Sequence, residues 1–559
     1  MKKQRLFFKG FTAKHLIVKG APLFLAALCT ACLSIAVSAA PVLISTIKYN
    51  VPGGPQLRLG DLNGDGRLDI LVPQPNAMAS DAGIGHEINA MVAFDVTGKE
   101  LWRVGNPATG GGSAGADIPV QIYDIDGDGY NEVLACMTGK FRIINGKTGV
   151  EKKSYDYPQA DAHDCIIIAN FSGKPKAREI ILKDRYSNLY VMDSTFKLLW
   201  SWRGVTGHYP WPHDFDGDGR EELMASFTLL DYTGKSIGGI TMSGHADAMW
   251  VGDIDNNPAN GEEILIAGLT IAAYSPRQKK ELWRASDTKE AQHVAIGNFR
   301  PDLPGLESAV LDRISRSANG YDGMVLYDAL GNTLLKETRP STQRGCWVSE
   351  TDMVENWDGV NDYIFTFRRG CGVAPALYDG SLKAVASFPL GAGSEILCTH
   401  ADIVGDAREE IIVYSNSQAD IYHNGPYSND LATDRVTGVP LPQIKNLYDW
   451  TEYRAGEYSG KKGTVVCNPA ACSKAWASSL RVARSAQGVV ITWDRSANGS
   501  ISNRALSIFD LSGRTIMTQR GIRDNRVVIP GGFARNGVYL LKALDGSADR
   551  IQRIEMVVK

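Results

Sequence analysis

The sequence predicts an all-β protein, an eight-bladed β-propeller with calcium-binding loops followed by a small C-terminal β-sandwich. A loop motif recurs eight times, mostly about 40–60 residues apart, which is the spacing of repeat architectures. The runs between the motifs are short, apolar and almost free of helical periodicity, as in propeller blades. The last part of the chain alternates short apolar runs with turns, which is typical of a β-sandwich.

The motif is most complete in the stretch DFDGDGREE, from Asp214 to Glu222. Carboxylates alternate along it, and its glycines permit a tight turn, so that a short loop can wrap a hard cation such as calcium. An apolar run follows at once. The motif therefore predicts a calcium loop that leads directly into a buried strand and stiffens it.

Three other copies keep most of these oxygen ligands and begin at Asp61, Asp124 and Asp253. A reduced copy begins at Asp402, and three weaker ones keep the apolar frame from Asn170, Asn298 and Asn356. The predicted calcium ligands are Asp61, Asn63, Asp65, Asp69, Asp124, Asp126, Asp128, Glu132, Asp214, Asp216, Asp218, Glu222, Asp253 and Asp255.

Several copies are followed by an apolar run, a turn and a tryptophan, at Trp102, Trp200 and Trp283. Strand, turn and strand in each repeat predict four-stranded blades. Eight copies then predict eight blades.

The chain opens with basic residues, an apolar stretch over 21–37 and small residues before Ala40. This pattern predicts a signal peptide over 1–39 and a protein that is secreted or attached to the cell surface. A membrane anchor and lipid attachment at Cys32 are the alternatives. No later apolar stretch approaches about 18 residues, so no membrane span is predicted after the signal peptide.

Seven cysteines follow the predicted signal peptide, and export favours disulfides. Cys467 with Cys472 and Cys346 with Cys371 are candidate pairs, and the odd count leaves one thiol over. The sequence has no CxxC, GxSxG, HExxH or phosphate-loop motif, which argues against metal binding by the cysteines and against serine-hydrolase, zincin-type protease and nucleotide chemistry. A net charge of -3 gives no indication of a nucleic-acid surface.

The predicted boundaries are 40–455 for the propeller, 456–475 for a linker and 476–559 for the sandwich. Within the last segment, SIFDLSGRTI and NGVYLLKA resemble the C-terminal sorting domain of bacterial type IX secretion substrates. The resemblance implies that this domain contacts a secretion machinery. A carbohydrate-binding or spacer module is the alternative.

Six of the nine histidines lie close to the start of a repeat: His163, His208, His213, His245, His293 and His400. Because the first strand of each blade lies nearest the propeller axis, we expect these side chains to meet at one mouth of the channel. Together with Asp247, the histidines of adjacent blades predict a divalent metal site or a general-base cluster. The alternative for each histidine is a packed core residue.

Five phrases resemble, in this order, the propeller of the family 11 rhamnogalacturonan lyases: VAFDVTGKELWRV, QIYDIDGDGYNEVLACM, GHYPWPHDFDGDGREELM, GHADAMWVGDIDNNPANGEEI and THADIVGDAREEII. The resemblance covers roughly residues 55–455. It implies eight blades, structural calcium, secretion and cleavage of a pectin backbone of rhamnose and galacturonate by β-elimination. It also implies that His208, His245 and Asp247 bind a metal, with one Ca²⁺ expected at the channel mouth, and that Tyr448 is an active-site tyrosine.

Four features depart from the family pattern. His293 stands where the family has an arginine, and Ser394 is nearest to its lysine. The segment after Glu263 lacks a further acidic ligand, and no β-domain precedes the repeats. We therefore predict His293, His245 and Tyr448 as catalytic residues, with His293 as a replacement base.

The predicted substrate-binding residues are Arg344, Trp347, Arg368 and Trp250, which offer carboxylate and sugar contacts. The predicted function is metal-assisted β-elimination of an acidic plant polysaccharide by a secreted monomer. The alternative is a non-catalytic propeller that binds glycan or protein at the cell surface and uses calcium only to stiffen its blades.

Overall fold

The computed structural model describes 40–49, 57–75, 86–107, 118–314, 321–340, 350–367, 373–389, 391, 397–406, 408–415, 417–425, 427, 431, 455–460 and, near the C-terminus, 481–485, 488–492, 504–509, 515–520, 526–530, 537–545 and 548–556. Every regular element in these segments is a β-strand, so the all-β prediction is confirmed. In the part described, we find no helix with the length and apolarity of a membrane span. The predicted signal peptide lies outside the described residues.

The repeats form consecutive four-stranded antiparallel units. After β1 (Pro41–Lys48), unit 1 contains β2 (Arg58–Gly60), β3 (Asp69–Pro75), β4 (Ile88–Phe94) and β5 (Glu100–Gly105). Unit 2 contains β6 (Val120–Tyr123), β7 (Glu132–Met137), β8 (Lys140–Asn145) and β9 (Glu151–Tyr155). Unit 3 contains β10 (Cys165–Ala169), β11 (Glu179–Lys183), β12 (Asn188–Met192) and β13 (Leu198–Arg203). Unit 4 contains β14 (Trp211–His213), β15 (Glu222–Ala225), β16 (Thr228–Leu230) and β17 (Ser236–Gly239).

The second half of the repeat region has the same organisation. Unit 5 contains β18 (Ala248–Gly252), β19 (Glu263–Ala267), β20 (Ile271–Ser275) and β21 (Lys280–Ala285). Unit 6 contains β22 (Ala291–Gly297), β23 (Glu307–Asp312), β24 (Tyr321–Tyr327) and β25 (Thr333–Pro340). Unit 7 contains β26 (Glu350–Val354), β27 (Tyr363–Phe367), β28 (Ala376–Tyr378) and β29 (Ala384–Ser387). Unit 8 contains β30 (Leu397–Ala401), β31 (Glu410–Tyr414), β32 (Gln418–Asn424) and β1.

Strand β1 completes the last unit, although it begins the described chain. Its register on β32 runs from Pro41 opposite Asn424 to Lys48 opposite Gln418. The main chain at the start of the repeat region is thereby hydrogen-bonded to the unit formed by its end.

Apolar cores join neighbouring units. They span units 1 and 2, units 2 and 3, units 3 to 5, units 5 to 7, and finally units 7, 8 and 1. In the last of these, buried Ile70, Phe365 and Ile412 come from units 1, 7 and 8. Burial of apolar surface between consecutive units therefore includes a contact between the last unit and the first.

The acidic residue that closes most loop motifs binds the main chain of its own loop. In unit 4, Glu222 accepts a hydrogen bond from the Phe215 N–H at 3.0 Å. Equivalent bonds in other units join Asp69 to Leu62, Glu132 to Ile125, Glu179 to Phe171, Glu263 to Ile254, Glu307 to Arg300 and Glu410 to Ile403. Because buried backbone N–H groups need acceptors, this carboxylate holds the turn whether or not a cation is bound.

A second acidic residue beside the closing one joins adjacent units. Glu221 accepts the Asn170 N–H of unit 3 at 2.7 Å. Asp362 accepts the Asn298 N–H of unit 6 at 2.7 Å, and Glu409 accepts the Glu355 N–H of unit 7 at 3.0 Å. In Glu221-Glu222, one side chain therefore binds the preceding unit and the next binds its own loop.

The motif tryptophans also connect neighbouring units. Their indole N–H groups donate to carbonyl oxygens of the following unit, from Trp102 to Gly146, Trp200 to Tyr232 and Trp283 to Ala329. Each ring covers a turn glycine there. A Cβ placed at Gly234 would lie 2.6 Å from Trp200 Cε3, so glycine is required for this close contact.

The chain returns to the repeats after unit 8. Strand β33 (Ala455–Glu457) pairs parallel with β18, and Tyr458 N–H donates to Val251 O at 2.8 Å. Strand β33 thus begins at the predicted boundary of 455 and is paired with unit 5. Residues 461–475 lie outside the described part.

The C-terminal strands form two antiparallel sheets. One has the order β34 (Arg481–Ser485), β35 (Gly488–Thr492), β38 (Arg526–Pro530). The other has the order β37 (Thr515–Arg520), β36 (Arg504–Phe509), β39 (Gly537–Asp545), β40 (Ala548–Met556).

Among the described cysteines, Cys136 and Cys165 are buried free thiols, and Cys398 is also buried. The prediction of a single unpaired thiol is therefore wrong. Their strands carry them into apolar cores, where burial raises the pKa of the Cys136 and Cys165 thiols well above the usual value. Cys346, Cys371, Cys467 and Cys472 lie outside the described residues.

The contact between Trp200 and Gly234 gives a test of the packing between units. We expect Gly234→Ala to lower the free energy of unfolding more than Gly139→Ala, by about 1–3 kcal/mol of overpacking, in urea denaturation. Both glycines have positive φ, 83° and 79°, so both alanines incur backbone strain, but no atom lies within 4 Å of a Cβ at Gly139. Equal destabilisation by the two substitutions would contradict the role of the tryptophan contact.

Candidate functional site

Two histidines and an aspartate meet just before the first strands of units 4 and 5. His208 precedes β14, and His245 and Asp247 precede β18. Asp247 Oδ1 lies 3.3 Å from His245 Nε2 and 3.6 Å from His208 Nε2. Sequence reasoning had predicted that these residues come together, and the structure brings them together. We call them the histidine–aspartate site.

The spacing in this site suits a divalent cation better than direct ion pairs. Charge-assisted N–H···O bonds are about 2.7–2.9 Å long, shorter than both distances. Ligands placed tetrahedrally about 2.1 Å from a cation are about 3.4 Å apart, close to what is observed. Two imidazole nitrogens and one carboxylate favour a transition ion such as Zn²⁺, whereas calcium prefers oxygen ligands. The donor set therefore fits a divalent ion, but fits the expected mouth calcium less well.

The protonation state of His208 suits the same role. Burial lowers the pKa of His208 well below its usual value, and the charges of Arg185 and His245 lower it further. The neutral imidazole that results is the form that ligates metals. Burial also raises the pKa of Asp247. His245 is the most accessible of the three, since 36% of its side chain is exposed.

Tyr186, from the turn after β11, packs against both histidines. Its ring centroid lies 4.7 Å from that of His245 and 5.4 Å from that of His208. The Arg185 guanidinium lies 5.3 Å from the Tyr186 centroid. Sequence reasoning missed both residues, because they come from unit 3. The sequence contained one signal for these residues, the charged run Lys183-Asp184-Arg185 directly after the apolar residues 180–182.

Positive charge surrounds a single buried carboxylate beside this site. Asp164 Oδ2 accepts a hydrogen bond from Lys183 Nζ at 2.9 Å, and Oδ1 lies 2.9 Å from His86 Nδ1 and 3.4 Å from Arg185. Lys183 and Arg185 thus place two positive charges around Asp164, and both charges act on His208. This end of the strands therefore offers cationic groups close to the histidine–aspartate site.

His213 and His400 do not join this site, contrary to the prediction of one shared mouth. His213 ends β14 and contacts Glu262 at 2.7 Å and Glu457 at 3.0 Å. His400, in β30, contacts Asp352 at 2.9 Å and Glu409 at 3.0 Å.

Carboxylate partners raise the pKa of both histidines to about 10, even though burial alone would lower it. The two rings are therefore cations at neutral pH and bind carboxylates within the protein, a structural role. The prediction failed because a histidine that ends a first strand lies at the opposite end from one that precedes it.

The other two histidines differ in position. His293 lies within β22 with no exposed surface, near enough to His208 for its charge to lower the His208 pKa. His163 packs against Tyr157, with ring centroids 5.0 Å apart, and its Nδ1 lies 3.2 Å from the His86 carbonyl. His293 is thus close to the histidine–aspartate site but shielded from solvent.

Trp250 does not offer the predicted sugar-stacking face. It is 4% exposed in β18, and a Cβ at Gly456 of β33 would lie 2.7 Å from its Cζ2. The predicted residues Arg344, Trp347, Arg368 and Tyr448 lie outside the described part of the chain.

The carboxylates of the fourth and fifth loops converge as calcium loops require. Ligand oxygens of Asp214, Asp216 and Asp218 lie within 4.8 Å of one another. Those of Asp253, Asp255 and Glu263 do the same, and Glu263 was not among the predicted ligands. Oxygen-only clusters of this kind fit calcium.

Ligand oxygens of Asp124, Asp126 and Glu132 in the second loop also lie within 4.8 Å of one another. The first and second loops differ from the fourth in the partners of their carboxylates. In the first loop, Asp61 accepts backbone N–H bonds from Gly64 and Gly66, while Asn63 Nδ2 donates to Asp69 at 3.2 Å. In the second loop, the lysine Lys152 contacts Asp126, Asp128 and Glu132, and Lys176 contacts Asp124. The second loop therefore already contains positive charge.

Residues 181–436 match the family model for the C-terminal domain of rhamnogalacturonan lyase family 11. This segment contains His208, His245 and Asp247. The chain is thus similar to family 11 rhamnogalacturonan lyases over this segment.

Two curated relatives come from Bacillus subtilis (strain 168). The rhamnogalacturonan endolyase YesW is 21% identical over 63% of this chain and 64% of its own length. The rhamnogalacturonan exolyase YesX is 21% identical over 63% of this chain and 68% of its own length. This chain therefore spans less than two thirds of the endolyase.

The crystal structures of the same two enzymes can be superposed on this chain. For YesW the TM-score is 0.49 at 17% identity, covering 75% of this chain and 82% of that one. For YesX the TM-score is 0.47 at 18% identity, covering 69% and 75%.

The charge on His400 gives a test by pH. Its folded pKa of about 10 exceeds the unfolded value of about 6.5, so its stabilisation is complete below the lower value and is lost as pH rises through the higher one. We expect His400→Gln to lower the free energy of unfolding by about 3 kcal/mol at neutral pH and to flatten its decline towards about pH 10, in urea denaturation. His163→Gln is the control, because the His163 ring contacts a backbone carbonyl. An unchanged decline in His400→Gln would contradict the assignment.

Proposed function

We propose that this protein is a secreted polysaccharide lyase that cleaves a uronate-containing glycan of the rhamnogalacturonan type by β-elimination. The histidine–aspartate site carries the proposal, because it combines divalent-cation spacing with a cationic surround. It also lies in the segment that matches the lyase family model.

We infer further that the eight units close into an eight-bladed propeller. Two observations support this arrangement: β1 completes unit 8, and an apolar core joins units 7, 8 and 1. The first strands would then line a central channel, with the histidine–aspartate site at one mouth. The opposite mouth would carry Glu262, Glu457 and the protonated His213.

The chemistry sets three requirements for such a site. The carbon next to a uronate carboxylate holds its proton tightly, so a positive group must neutralise the carboxylate. A base must remove the proton, and a donor must assist the departing glycosidic oxygen. A divalent ion held by His208, His245 and Asp247 would supply the neutralising charge.

Residues of the chain itself meet the remaining requirements. Arg185 adds positive charge beside the site, and Asp164 fixes its position. We assign the proton acceptor to Tyr186 in preference to the predicted His293. Tyr186 is partly exposed and lies against His245, whereas a polymer cannot reach the fully buried His293 ring in this conformation. As the base, Tyr186 would act as the tyrosinate, and the phenol formed would then donate that proton to the departing glycosidic oxygen.

The proposal also includes structural calcium ions and secretion. The fourth and fifth loops would hold structural calcium, which their converging oxygens support. The signal-like first 39 residues and the C-terminal sheets are consistent with secretion through a sorting domain.

A non-catalytic glycan-binding protein is the second candidate. The observation that favours it is the replacement of the arginine and lysine expected from the family by His293 and Ser394. Such a protein would use the same cationic end to bind uronate without cleaving it.

A direct assay separates the two candidates. The purified full-length protein, supplied with calcium and zinc, is incubated with rhamnogalacturonan and other uronate polymers. We expect ultraviolet absorbance to rise, because elimination creates a double bond conjugated with the carboxylate. Tyr186→Phe should lower kcat by about 10²-fold with little change in KM, since it removes proton transfer but keeps the ring.

Tyr190→Phe, on the neighbouring strand, is the matched control and should retain activity. His245→Ala should abolish turnover while keeping the folded circular dichroism spectrum. No rise in absorbance with any uronate polymer, accompanied by measurable glycan binding, would exclude the lyase and favour the second candidate.

A further inference from the structure

The second loop motif contains a lysine side chain at its centre. Lys152 Nζ lies 2.6 Å from Asp126 Oδ2, 2.8 Å from Glu132 Oε1 and 3.4 Å from Asp128 Oδ2. An ammonium group has three N–H donors, and here it faces three carboxylates. Lys176 pairs with Asp124, the remaining acidic residue of the motif. All four carboxylates predicted to bind calcium are therefore paired with lysines.

Lys152 occupies a position that is apolar in related units. It lies in β9, the fourth strand of unit 2, three residues after the turn glycine Gly149. Unit 1 has Leu101 three residues after Gly98. Units 3 and 5 have Leu199 and Leu282 directly before their motif tryptophans. A charged residue at this position is thus specific to unit 2, where its own loop carries a full set of carboxylates.

The fourth loop provides the comparison. Asp214, Asp216 and Asp218 accept backbone N–H bonds, and in the described structure no lysine or arginine forms an ion pair with them. Arg220 of the same motif instead lies over the Tyr232 ring, 4.4 Å from its centroid. Two loops with the same acidic pattern therefore differ in whether the protein supplies the cation.

The eighth unit shows the same solution with a different residue. Arg408 binds Asp406 through its guanidinium group, and Glu410 of the same motif and His423 of β32 lie close to Asp406. The pKa of Asp406 falls to about 2, despite its burial, because His423 and Arg408 contact it. In two of the repeats, therefore, a lysine or arginine of the chain pairs with loop carboxylates that a metal ion from solution could otherwise bind.

We propose that Lys152 is a built-in counter-cation that keeps calcium out of the second loop, while the fourth loop binds calcium from solution. Occupation of one position by an ammonium and a divalent ion is mutually exclusive, because both need the same oxygens. Unit 2 is then stabilised without calcium. The fourth-loop part of this inference rests on the proposed calcium loops, whereas the role of Lys152 does not.

Calcium counting tests the inference on the full-length protein. After chelation and dialysis, bound calcium per chain is measured by titration calorimetry and elemental analysis for wild type, Lys152→Leu and Lys153→Leu. Lys152→Leu frees three of the four carboxylates of the second loop and should bind one more calcium than wild type. Lys153→Leu is the matched control, since it removes the same charge from the next, exposed residue of β9, and it should leave the count unchanged.

A second pair of variants covers the case in which Lys152→Leu fails to fold. The double substitution Asp126→Asn and Asp128→Asn should leave the wild-type calcium count unchanged, whereas Asp216→Asn and Asp218→Asn should lower it by one. A fall with the Asp126 and Asp128 pair would overturn the inference, as would a count in folded Lys152→Leu equal to that of Lys153→Leu. If wild type binds no calcium, the proposed calcium loops fail, while a gain in Lys152→Leu still supports the role of Lys152.

Discussion

The repeat architecture depends on one hydrogen bond, from a loop backbone N–H to the carboxylate that begins the second strand. In unit 4 it joins Glu222 to Phe215, and it recurs even where the other carboxylates of the motif are lost, as between Glu179 and Phe171. A buried amide without an acceptor would cost about 1–3 kcal/mol, which explains why this residue persists in reduced copies. In the second loop the other carboxylates of the motif are paired within the protein, since Lys152 contacts Asp126, Asp128 and Glu132.

The same strands have chemically opposite ends. Cations surround Asp164 beside the histidine–aspartate site, while carboxylates surround His213 and His400 elsewhere. Among the described residues, these charges would favour an acidic ligand at the end that carries the histidine–aspartate site. The neutral state of His208 and the protonated state of His400 follow from these two environments, although the residue type is identical.

Local patterns in the sequence predicted the strands, the loop motif and the meeting of His208, His245 and Asp247, because each depends on residues near a strand start. Contacts between units escaped the same reasoning. Tyr186 reaches the site from unit 3, and β33 covers Trp250 after a long excursion of the chain. His213 was misplaced because the sequence does not reveal that β14 is only three residues long.

Diffraction from crystals soaked in Zn²⁺ tests whether the histidine–aspartate site binds a divalent ion, because anomalous scattering at the zinc edge locates the ion. We expect one ion bonded to His208 Nε2, His245 Nε2 and Asp247 Oδ1, with ligand distances of about 2.0–2.2 Å. An empty site, with Asp247 closing onto one histidine at ordinary hydrogen-bond distance, would contradict it.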